Sequence, residues 1–254
     1  MNAQLEERSI NAWPALETMV DDGWLLRFAD GYTKRANSVY PLYPPTITNL
    51  EQKIAECERH YGSKGLPTIF KLTPCSQPVG LDALLEQKGY ALDGVTSVQT
   101  VSLERMASPS IQTVQVYEEC TDEWVNAFCR LSGKDEEEKR TMSQTLRKII
   151  PATCYAALIH EGEVVACGLG VLEREYIGLY DIVTAPSYRK RGFGEQLVLS
   201  ILQWGVDHGA KHSYLQVVQD NTPALRLYEK LGYKEVYPYW YRIRDVGVDR
   251  SSST

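Results

Sequence analysis

The spacing of apolar and polar residues along the chain predicts alternating strands and helices. A largely apolar run from Ile177 to Thr184 predicts a buried strand. Apolar residues then recur at helical spacing from Gly194 to Asp207, and Gly209 predicts the end of that helix. The C-terminal half also contains predicted strands at Ile111–Tyr117, Tyr155–His160, Val164–Leu172, Ser213–Val218 and Glu235–Arg244, and predicted helices that begin at Asp122, in the charged run KDEEEKR and at Thr222.

The N-terminal half contains two extended runs, Trp24 to Phe28 and Tyr32 to Tyr40, on either side of Asp30-Gly31. An Asp-Gly pair between such runs predicts a β-hairpin. Three polar residues alternate in the second run and therefore share one face of the predicted strand. Such a stripe lines a pocket, faces solvent or belongs to a domain interface, and its members are Thr33, Arg35 and Asn37.

The remainder of the N-terminal half predicts a helix over residues 49–61, a strand over 67–72 and a helix over 80–88. Ser108-Pro109-Ser110 then interrupts the pattern, and the elements start again after it. We therefore predict an N-terminal domain, a C-terminal domain and a flexible tail, comprising residues 1–108, 109–248 and 249–254.

The two halves of the chain resemble each other. LLEQKGY at residues 84–90 matches LYEKLGY at residues 227–233, and Glu51-Gln52 opens the first long helix much as Glu195-Gln196 opens the second. The matches keep a nearly constant offset, because Gly232 follows Gly89 by 143 residues and Glu195 follows Glu51 by 144. A constant offset favours a duplicated unit.

Composition narrows the class of protein. A net charge of −6 argues against a nucleic-acid-binding surface, which needs a clustered basic face. The six cysteines form no Cys-x-x-Cys pair and the four histidines form no ligand cluster with them, so no metal site is expected. The first ten residues lack the apolar segment of a signal peptide, and no apolar run is long enough to span a bilayer. We therefore expect a cytoplasmic protein with free thiols and no membrane partner.

The sequence RKRGFG at residues 189–194 lies between the predicted strand 177–184 and the long helix. A helix N-terminus has unpaired backbone N–H groups and a partial positive charge. Glycines at that point let a phosphate approach the backbone closely, and the three cationic side chains favour an anion. The pattern predicts a phosphate or pyrophosphate site, with an ordinary turn and a solvated basic rim as the alternative.

The corresponding part of the first half lacks this chemistry. The same alignment places Pro45, Thr48 and Leu50 where the second half has Arg189, Gly192 and Gly194. It also places Leu85 opposite Tyr228 and Pro78 opposite Asn221. We expect the first half to have kept the scaffold and lost the ligand.

Residues 111–244 resemble the GNAT superfamily of acyl-CoA-dependent N-acyltransferases. RKRGFG matches the pyrophosphate loop of that superfamily, and NTPALRLYEKLGY at residues 221–233 matches its second signature. The whole chain resembles a tandem form with a degenerate N-terminal copy. The resemblance implies an α/β (α+β) fold of two GNAT-like units, each a mixed, mostly antiparallel sheet flanked by helices.

The resemblance also implies acetyl-CoA as co-substrate. Backbone N–H groups from Arg191 to Gly194 hold the pyrophosphate, a main-chain N–H on the preceding strand stabilises the oxyanion, and Tyr228 protonates the leaving thiolate. The alternatives are a core aromatic for Tyr228, a helix cap for Asn221 and rim charges for the arginines. The implied cofactor-binding residues are Ile182, Val183, Thr184, Arg189, Lys190, Arg191, Gly192, Phe193, Gly194, Asn221 and Tyr228.

The sequence offers several candidates for the general base. Tyr176 occupies the position where the superfamily often has a glutamate, and strand alternation turns the adjacent Glu175 to the opposite face. Asp181 and Glu173 are further candidates, and a water relay is an alternative. No cysteine lies in either motif, so we expect direct transfer in a ternary complex without an acyl-cysteine intermediate.

We expect the acceptor to be the primary amine of a small molecule, with Arg35, Asn37 and Tyr239 as candidate substrate-binding residues. The leading hypothesis is therefore an acetyl-CoA-dependent N-acetyltransferase. Two alternatives remain at this point: an acyl-CoA-binding regulatory module that does no chemistry, and a protein or peptide acetyltransferase.

Overall fold

The computed structural model describes residues 2–110 and 113–245. The predicted tail, 249–254, and the start of the strand predicted at Ile111 lie outside these residues. In chain order the elements are α1 (Asn2–Ala12), β1 (Glu17–Asp21), β2 (Trp24–Phe28), β3 (Val39–Pro41), α2 (Leu50–Gly62), β4 (Thr68–Leu72), α3 (Leu81–Gln87), β5 (Ala91–Ser102), β6 (Val114–Tyr117), α4 (Asp122–Ser132), α5 (Glu136–Leu146), β7 (Ala152–His160), β8 (Glu163–Glu173), β9 (Tyr176–Thr184), α6 (Phe193–Asp207), β10 (His212–Val218), α7 (Thr222–Lys230) and β11 (Lys234–Arg244).

The chain divides into two compact units. Unit 1 comprises Met1–Pro14 and Ser97–Val236, and unit 2 comprises Ala15–Thr96 and Tyr237–Thr254. Each unit therefore contains segments from both ends of the chain. The units do not follow the predicted boundary after residue 108, because β5 and β11 each carry the chain from one unit into the other.

Unit 1 is built on strands in the order β5-β10-β9-β8-β7-β6. The pairs β6–β7, β7–β8 and β8–β9 are antiparallel, and β9–β10 is parallel. Alternating residues of β7 face opposite sides: Ala156 belongs to the core that contains Leu197 and Ile201 of α6, whereas Tyr155 packs edge-on against Trp124 of α4. Helices therefore cover both faces of the sheet, as the α/β expectation requires.

Unit 2 is built on strands in the order β1-β2-β3-β4-β11. The pair β3–β4 is parallel, while β1–β2, β2–β3 and β4–β11 are antiparallel. Its core places Trp24 and Phe70 of the strands against Ile54 of α2 and Leu85 of α3. Both units thus have a mixed, mostly antiparallel sheet with helices, which confirms the predicted fold class.

The placement of β5 and β11 explains why each unit contains segments from distant parts of the chain. In chain order β5 follows α3, yet it lies beside β10 in unit 1, while β11 follows α7 and lies beside β4 in unit 2. Trp240 pairs with Leu72 and Arg242 with Phe70 in this last ladder. The final strand of each half of the sequence therefore completes the sheet of the other half.

β2 and β3 pair antiparallel, as the predicted hairpin requires, but the tight turn predicted at Asp30-Gly31 is wrong. The tight turn lies at Asp22-Gly23 between β1 and β2, and β2 pairs with β3 across a longer connection that contains a 3-10 helix at Lys34–Ala36. Thr33, Arg35 and Asn37 therefore do not share a strand face. The Asn37 side chain explains the irregular backbone, because its amide oxygen accepts from the N–H of Ala29 and its amide nitrogen donates to the carbonyl of Tyr32.

Candidate active site

The site begins at a bulge in β9. Two residues of β9, Asp181 and Ile182, lie opposite the single residue Gly168 of β8, and Asp181 has a φ of 51°. A Cβ at Gly168 would lie 2.6 Å from the Ile182 Cδ1, so a larger residue there would displace the Ile182 side chain. The bulge turns Ile182 into the core beneath α6 and redirects the end of β9.

Strands β9 and β10 pair over only part of their length. The parallel ladder runs from Tyr176–His212 to Leu179–Leu215. Within the described residues, the ladder does not extend to the last residues of either strand, so a wedge opens between them. Ile182, Val183 and Thr184 lie on β9 beyond its last residue paired with β10, and they line a cleft. An extended ligand that carries amide groups can pair with such an edge.

Helix α6 starts at this cleft without a side-chain cap. Gly192 is its N-cap residue, with φ 85° and ψ −8°, and no side chain accepts from the first N–H groups. By contrast, Asn49, Thr121, Asp135 and Asn221 cap the helices α2, α4, α5 and α7 with their side chains. The first turn of α6 therefore keeps N–H donors and a positive dipole end for an anion.

The two glycines of the loop act differently. Gly192 needs its positive φ, and a Cβ built on it would meet no atom within 4 Å, which leaves open space beside the backbone. A Cβ on Gly194 would come within 3.2 Å of the Thr184 Oγ1, so that glycine lets α6 approach the end of β9. The loop thus combines a left-handed turn with a close approach of helix and strand.

The cleft has a volume of about 760 Å³, within the range of small-molecule sites. Arg189 and Lys190 line it, as does Arg226 on α7. Arg191 instead packs against the rings of Tyr188 and Phe193, each 5.2 Å from its guanidinium carbon. The loop therefore presents two of its three predicted cations to the cleft, and α7 adds another.

Sequence reasoning missed several residues that line the cleft, among them Tyr188, Glu195 and Arg226. Glu195 lies in the first turn of α6, where Lys230 of α7 neutralises it at 2.5 Å. Arg226 was visible within the second signature and lies one helical turn after Thr222, which also lines the cleft. The four-residue spacing from Thr222 therefore indicated that Arg226 faces the same side of α7, and so the cleft.

Tyr228 is the candidate acid. It lines the cleft, is 7% exposed, and packs edge-on against Tyr233 with ring centroids 5.7 Å apart. Burial raises the pKa of Tyr228 to about 12, so its phenol stays protonated at neutral pH. It is therefore both a core aromatic and a protonated phenol that lines the cleft.

Asn221 caps α7. Its Oδ1 accepts from the N–H of Ala224 at 3.3 Å, while the residue also lines the cleft. The capping interpretation therefore holds, and it leaves the amide nitrogen of Asn221 for a ligand.

The base candidates lie at different ends of β9. Asp181 is half-buried at the bulge, next to the cleft-lining Ile182. Glu175 precedes β9 and is about 30 Å along the strand from Thr184 at ~3.3 Å per residue. Its carboxylate binds Lys211 at 2.5 Å, and this hydrogen bond lowers the pKa of Glu175. Tyr176, at the position of the expected glutamate, packs beneath the guanidinium of Arg8 at 4.4 Å.

The candidate acceptor residues lie in unit 2. Asn37 is 3% exposed, and its side chain is committed to the backbone of residues 29–33. The carbonyl of Arg35 accepts from the Tyr40 hydroxyl at 2.9 Å. Tyr239 is buried, with the ammonium of Lys71 4.0 Å from its ring centroid. The structure therefore gives Asn37 a role in holding its own loop.

Among the described residues, no group of three or more histidine, cysteine or acidic side chains could hold a metal ion. No helix within residues 2–110 and 113–245 is long and apolar enough to cross a membrane.

Comparison with known proteins places the chain in a family. Residues 3–242 match the family described as "Probable histone acetyltransferase Rv0428c C-terminal". The uncharacterized N-acetyltransferase YobR of Bacillus subtilis is 29% identical over 245 residues, which cover 95% of this chain and 98% of YobR.

Two solved structures share the fold. A GCN5-related N-acetyltransferase from Kribbella flavida has a TM-score of 0.71 at 15% identity, covering 96% of this chain and 95% of its own. A tandem GNAT protein from the clavulanic acid biosynthesis pathway has a TM-score of 0.66 at 12% identity, covering 97% and 88%. The family match across nearly the whole chain, with the glycine loop, the bulged strand and the uncapped helix, identifies the protein as a GNAT-type, acyl-CoA-dependent N-acetyltransferase.

Proposed function

We propose that this chain transfers the acetyl group of acetyl-CoA to the primary amine of a small molecule in a direct ternary-complex reaction. The observation that carries the proposal is the cleft of about 760 Å³, in which the uncapped start of α6 lies beside the end of β9 and the protonated Tyr228.

The co-substrate fits the residues present. The first N–H groups of α6 and the charges of Arg189 and Lys190 suit a pyrophosphate, and the main chain from Ile182 to Thr184 suits the amides of a pantetheine arm. Bound there, acetyl-CoA would supply the activated thioester. A main-chain N–H on β9 would stabilise the negative charge that develops on the carbonyl oxygen.

Two proton transfers complete the reaction. The amine must lose a proton as the new C–N bond forms, and the thiolate must gain one as the C–S bond breaks. Asp181 is the proposed acceptor of the first proton, directly or through water, because it lies at the bulge beside Ile182. Tyr228 is the proposed donor of the second. Glu175 lies at the other end of β9 and takes no part.

The cysteines support direct transfer. Burial raises the pKa of both Cys154 and Cys167 to about 12, so neither thiol forms the thiolate that an acyl-enzyme would require. The buried Tyr228 also favours an enzyme over a binding module without chemistry. A binding module needs no buried acid beside its ligand.

A protein amine is the second candidate acceptor, since the description of the family names a histone acetyltransferase. We keep a small molecule as the first candidate, because the acidic overall charge of −6 is compatible with a small cationic amine. Arg35 remains a proposed acceptor contact, whereas Tyr239 is 2% exposed and packs against Lys71.

Calorimetric titration with acetyl-CoA tests the proposal. Wild-type protein should bind acetyl-CoA at the α6 cleft, and Gly192→Glu should lose binding because it places a carboxylate at the anion site. Gly133→Glu is the matched control: Gly133 also has a positive φ, 69°, and no atom within 4 Å of a built Cβ, but it ends α4. Equal binding by wild type and Gly192→Glu would refute the assignment of the cleft.

A screen of amines then separates the candidate functions. Release of free CoA thiol with small amines but not with histone peptides would support the proposed acceptor class, and the reverse result would support a protein acceptor. Acetyl-CoA binding without thiol release from any amine would favour the non-catalytic module.

A further inference from the structure

The two units share one arrangement of strand, loop, helix and parallel strand. In unit 1 it is β9, α6 and β10, and in unit 2 it is β3, α2 and β4, with parallel pairing in both. Residues 185–192 connect β9 to α6 and residues 42–49 connect β3 to α2, so both loops contain eight residues. The loop 42–49 is therefore the counterpart of the proposed pyrophosphate loop.

A carboxylate of the same unit occupies this second loop. Both oxygens of Asp22 accept from the N–H of Thr46 at 2.9 Å, and one also accepts from the N–H of Ile47 at 2.9 Å. The Thr46 hydroxyl adds a further hydrogen bond at 2.7 Å. Consecutive backbone N–H groups and a hydroxyl that converge on one anion are the donor set that a phosphate uses before a helix.

A buried cation completes the donor set. The ammonium of Lys53 on α2 is 3.8 Å from the Asp22 carboxylate and 2.8 Å from that of Asp21. The Lys53 side chain is 0% exposed, so its charge acts at short range with little screening by solvent. The loop, the hydroxyl and the lysine together form an anion site filled by the chain itself.

The β1–β2 turn fixes Asp22 in this position. Asp22 and Gly23 both have positive φ, 38° and 85°, as a tight two-residue hairpin requires. Tyr43 donates its N–H to the Gly23 carbonyl at 3.1 Å, and a Cβ on Gly23 would lie 2.8 Å from the Tyr43 carbonyl oxygen. The turn therefore packs directly on the loop it fills.

The N-terminus of α2 is also capped by a side chain. Asn49 stands at the N-cap position that Gly192 holds in α6, and its Oδ1 accepts from the N–H of Gln52 at 3.2 Å. Hydrogen bonds from Ile47 and Thr46 lower the pKa of Asp22 to about 2, so its carboxylate remains an anion at neutral pH.

We infer that unit 2 keeps an anion-binding loop whose resident ligand is the Asp22 carboxylate, so that each chain binds acetyl-CoA at the α6 cleft alone. The inference extends the proposed function, because that function supplies the identity of the pyrophosphate whose place Asp22 takes. Removal of the Asp22 carboxylate should open the loop to a small polyphosphate from solution.

The test uses the full-length chain with the α6 cleft disabled by Gly192→Glu. Inorganic pyrophosphate is added to this parent and to the double variant Asp22→Ala, Gly192→Glu, and melting temperature and calorimetric binding are recorded. Sodium chloride at equal ionic strength is the control for general salt effects. We expect a saturable upward shift of the melting temperature in the double variant and none in the parent.

Three results would overturn the inference: equal shifts in the two proteins, no shift in either, or two acetyl-CoA sites per wild-type chain. If the double variant does not fold alone, folding on addition of pyrophosphate supports the inference and failure to fold with it contradicts it. Asp22→Asn on the same background keeps the loop filled with an uncharged side chain, so it should fold without binding pyrophosphate.

The outcome is independent of the proposed enzyme function. A wild-type chain that binds no acetyl-CoA would refute the proposed function while the pyrophosphate result on Asp22→Ala still stands. A chain that acetylates an amine while Asp22→Ala gains no pyrophosphate binding would refute the inference alone.

Discussion

Removal of the Tyr228 hydroxyl is the sharpest test of the proposed chemistry. Tyr228→Phe keeps the ring and therefore its edge contact with Tyr233 at 5.7 Å. The residue is 7% exposed, so the substitution removes one oxygen without opening the core. We expect the folded protein and its affinity for acetyl-CoA to be preserved.

The magnitude follows from the acidity of the phenol. General acid catalysis contributes about 10²- to 10⁴-fold to a rate. Burial raises the pKa of Tyr228 to about 12, above that of an ordinary thiol at about 8.5, so proton transfer to the thiolate is less favourable than from a free phenol. We therefore expect the lower end of the range, a fall in kcat of about 100-fold, or ~3 kcal/mol of barrier.

Steady-state release of CoA thiol with the acceptor found in the amine screen measures kcat, and calorimetry measures the dissociation constant of acetyl-CoA. Tyr233→Phe is the matched control, because it alters the other member of the ring pair and loses only the hydrogen bond to Ser213 at 2.6 Å. A kcat for Tyr228→Phe within threefold of wild type would refute the acid role. Equal losses in both variants would show that the ring pair matters only for packing.

The pH dependence gives an independent check on the same group. An acid must be protonated to act, and a pKa near 12 keeps Tyr228 protonated throughout the range in which the protein is assayed. Activity should therefore show no alkaline decline due to Tyr228 below about pH 11. A decline near pH 8–9 that disappears in Tyr228→Phe would contradict the assigned protonation state.

Three further predictions concern stability, the base and the thiols. Gly170→Ala should lower the free energy of unfolding by about 1–3 kcal/mol in urea titrations, because its Cβ would lie 2.5 Å from the Ile201 Cγ2, whereas Gly62→Ala, with open space, should not destabilise. Glu175→Gln should leave kcat unchanged, because the carboxylate is remote from the cleft and bound to Lys211. A 100-fold loss of kcat would instead indicate that Glu175 is the base. Iodoacetamide should alkylate the exposed Cys75 and spare the native core thiols, and rapid core labelling detected by mass spectrometry would contradict their raised pKa.

The local chemistry of the cleft was accessible from the sequence because it resides in short contiguous segments. RKRGFG placed two glycines at the start of an apolar-periodic helix, and the structure starts α6 at Phe193 with Gly192 as its N-cap residue. The second signature predicted α7 and Tyr228 on it in the same way. Local spacing determines such features, since helix periodicity and glycine backbone freedom act over a few residues.

The strand prediction failed where side-chain hydrogen bonds hold an irregular backbone. The stretch from Tyr32 to Tyr40 has the polar alternation of a strand, but part of it folds into a 3-10 turn. The Asn37 amide oxygen accepts from the N–H of Ala29, and its amide nitrogen donates to the carbonyls of Tyr32 and Thr33. An asparagine that bonds several backbone groups at once can override strand propensity. No alternation of polar residues reveals which backbone groups such a side chain will reach.

The sequence by itself determined the two repeated halves, most helices and strands, and the glycine loop with Tyr228 on α7. Tertiary structure decided which strands complete each sheet, since β5 and β11 join the sheet of the other half through backbone hydrogen bonds that carry no residue-specific signal. It also decided that Asp22 fills the loop at Thr46, a contact across 24 residues that depends on how the β1–β2 turn packs. Local periodicity encodes elements, whereas pairing between distant segments depends on packing that only the folded chain supplies.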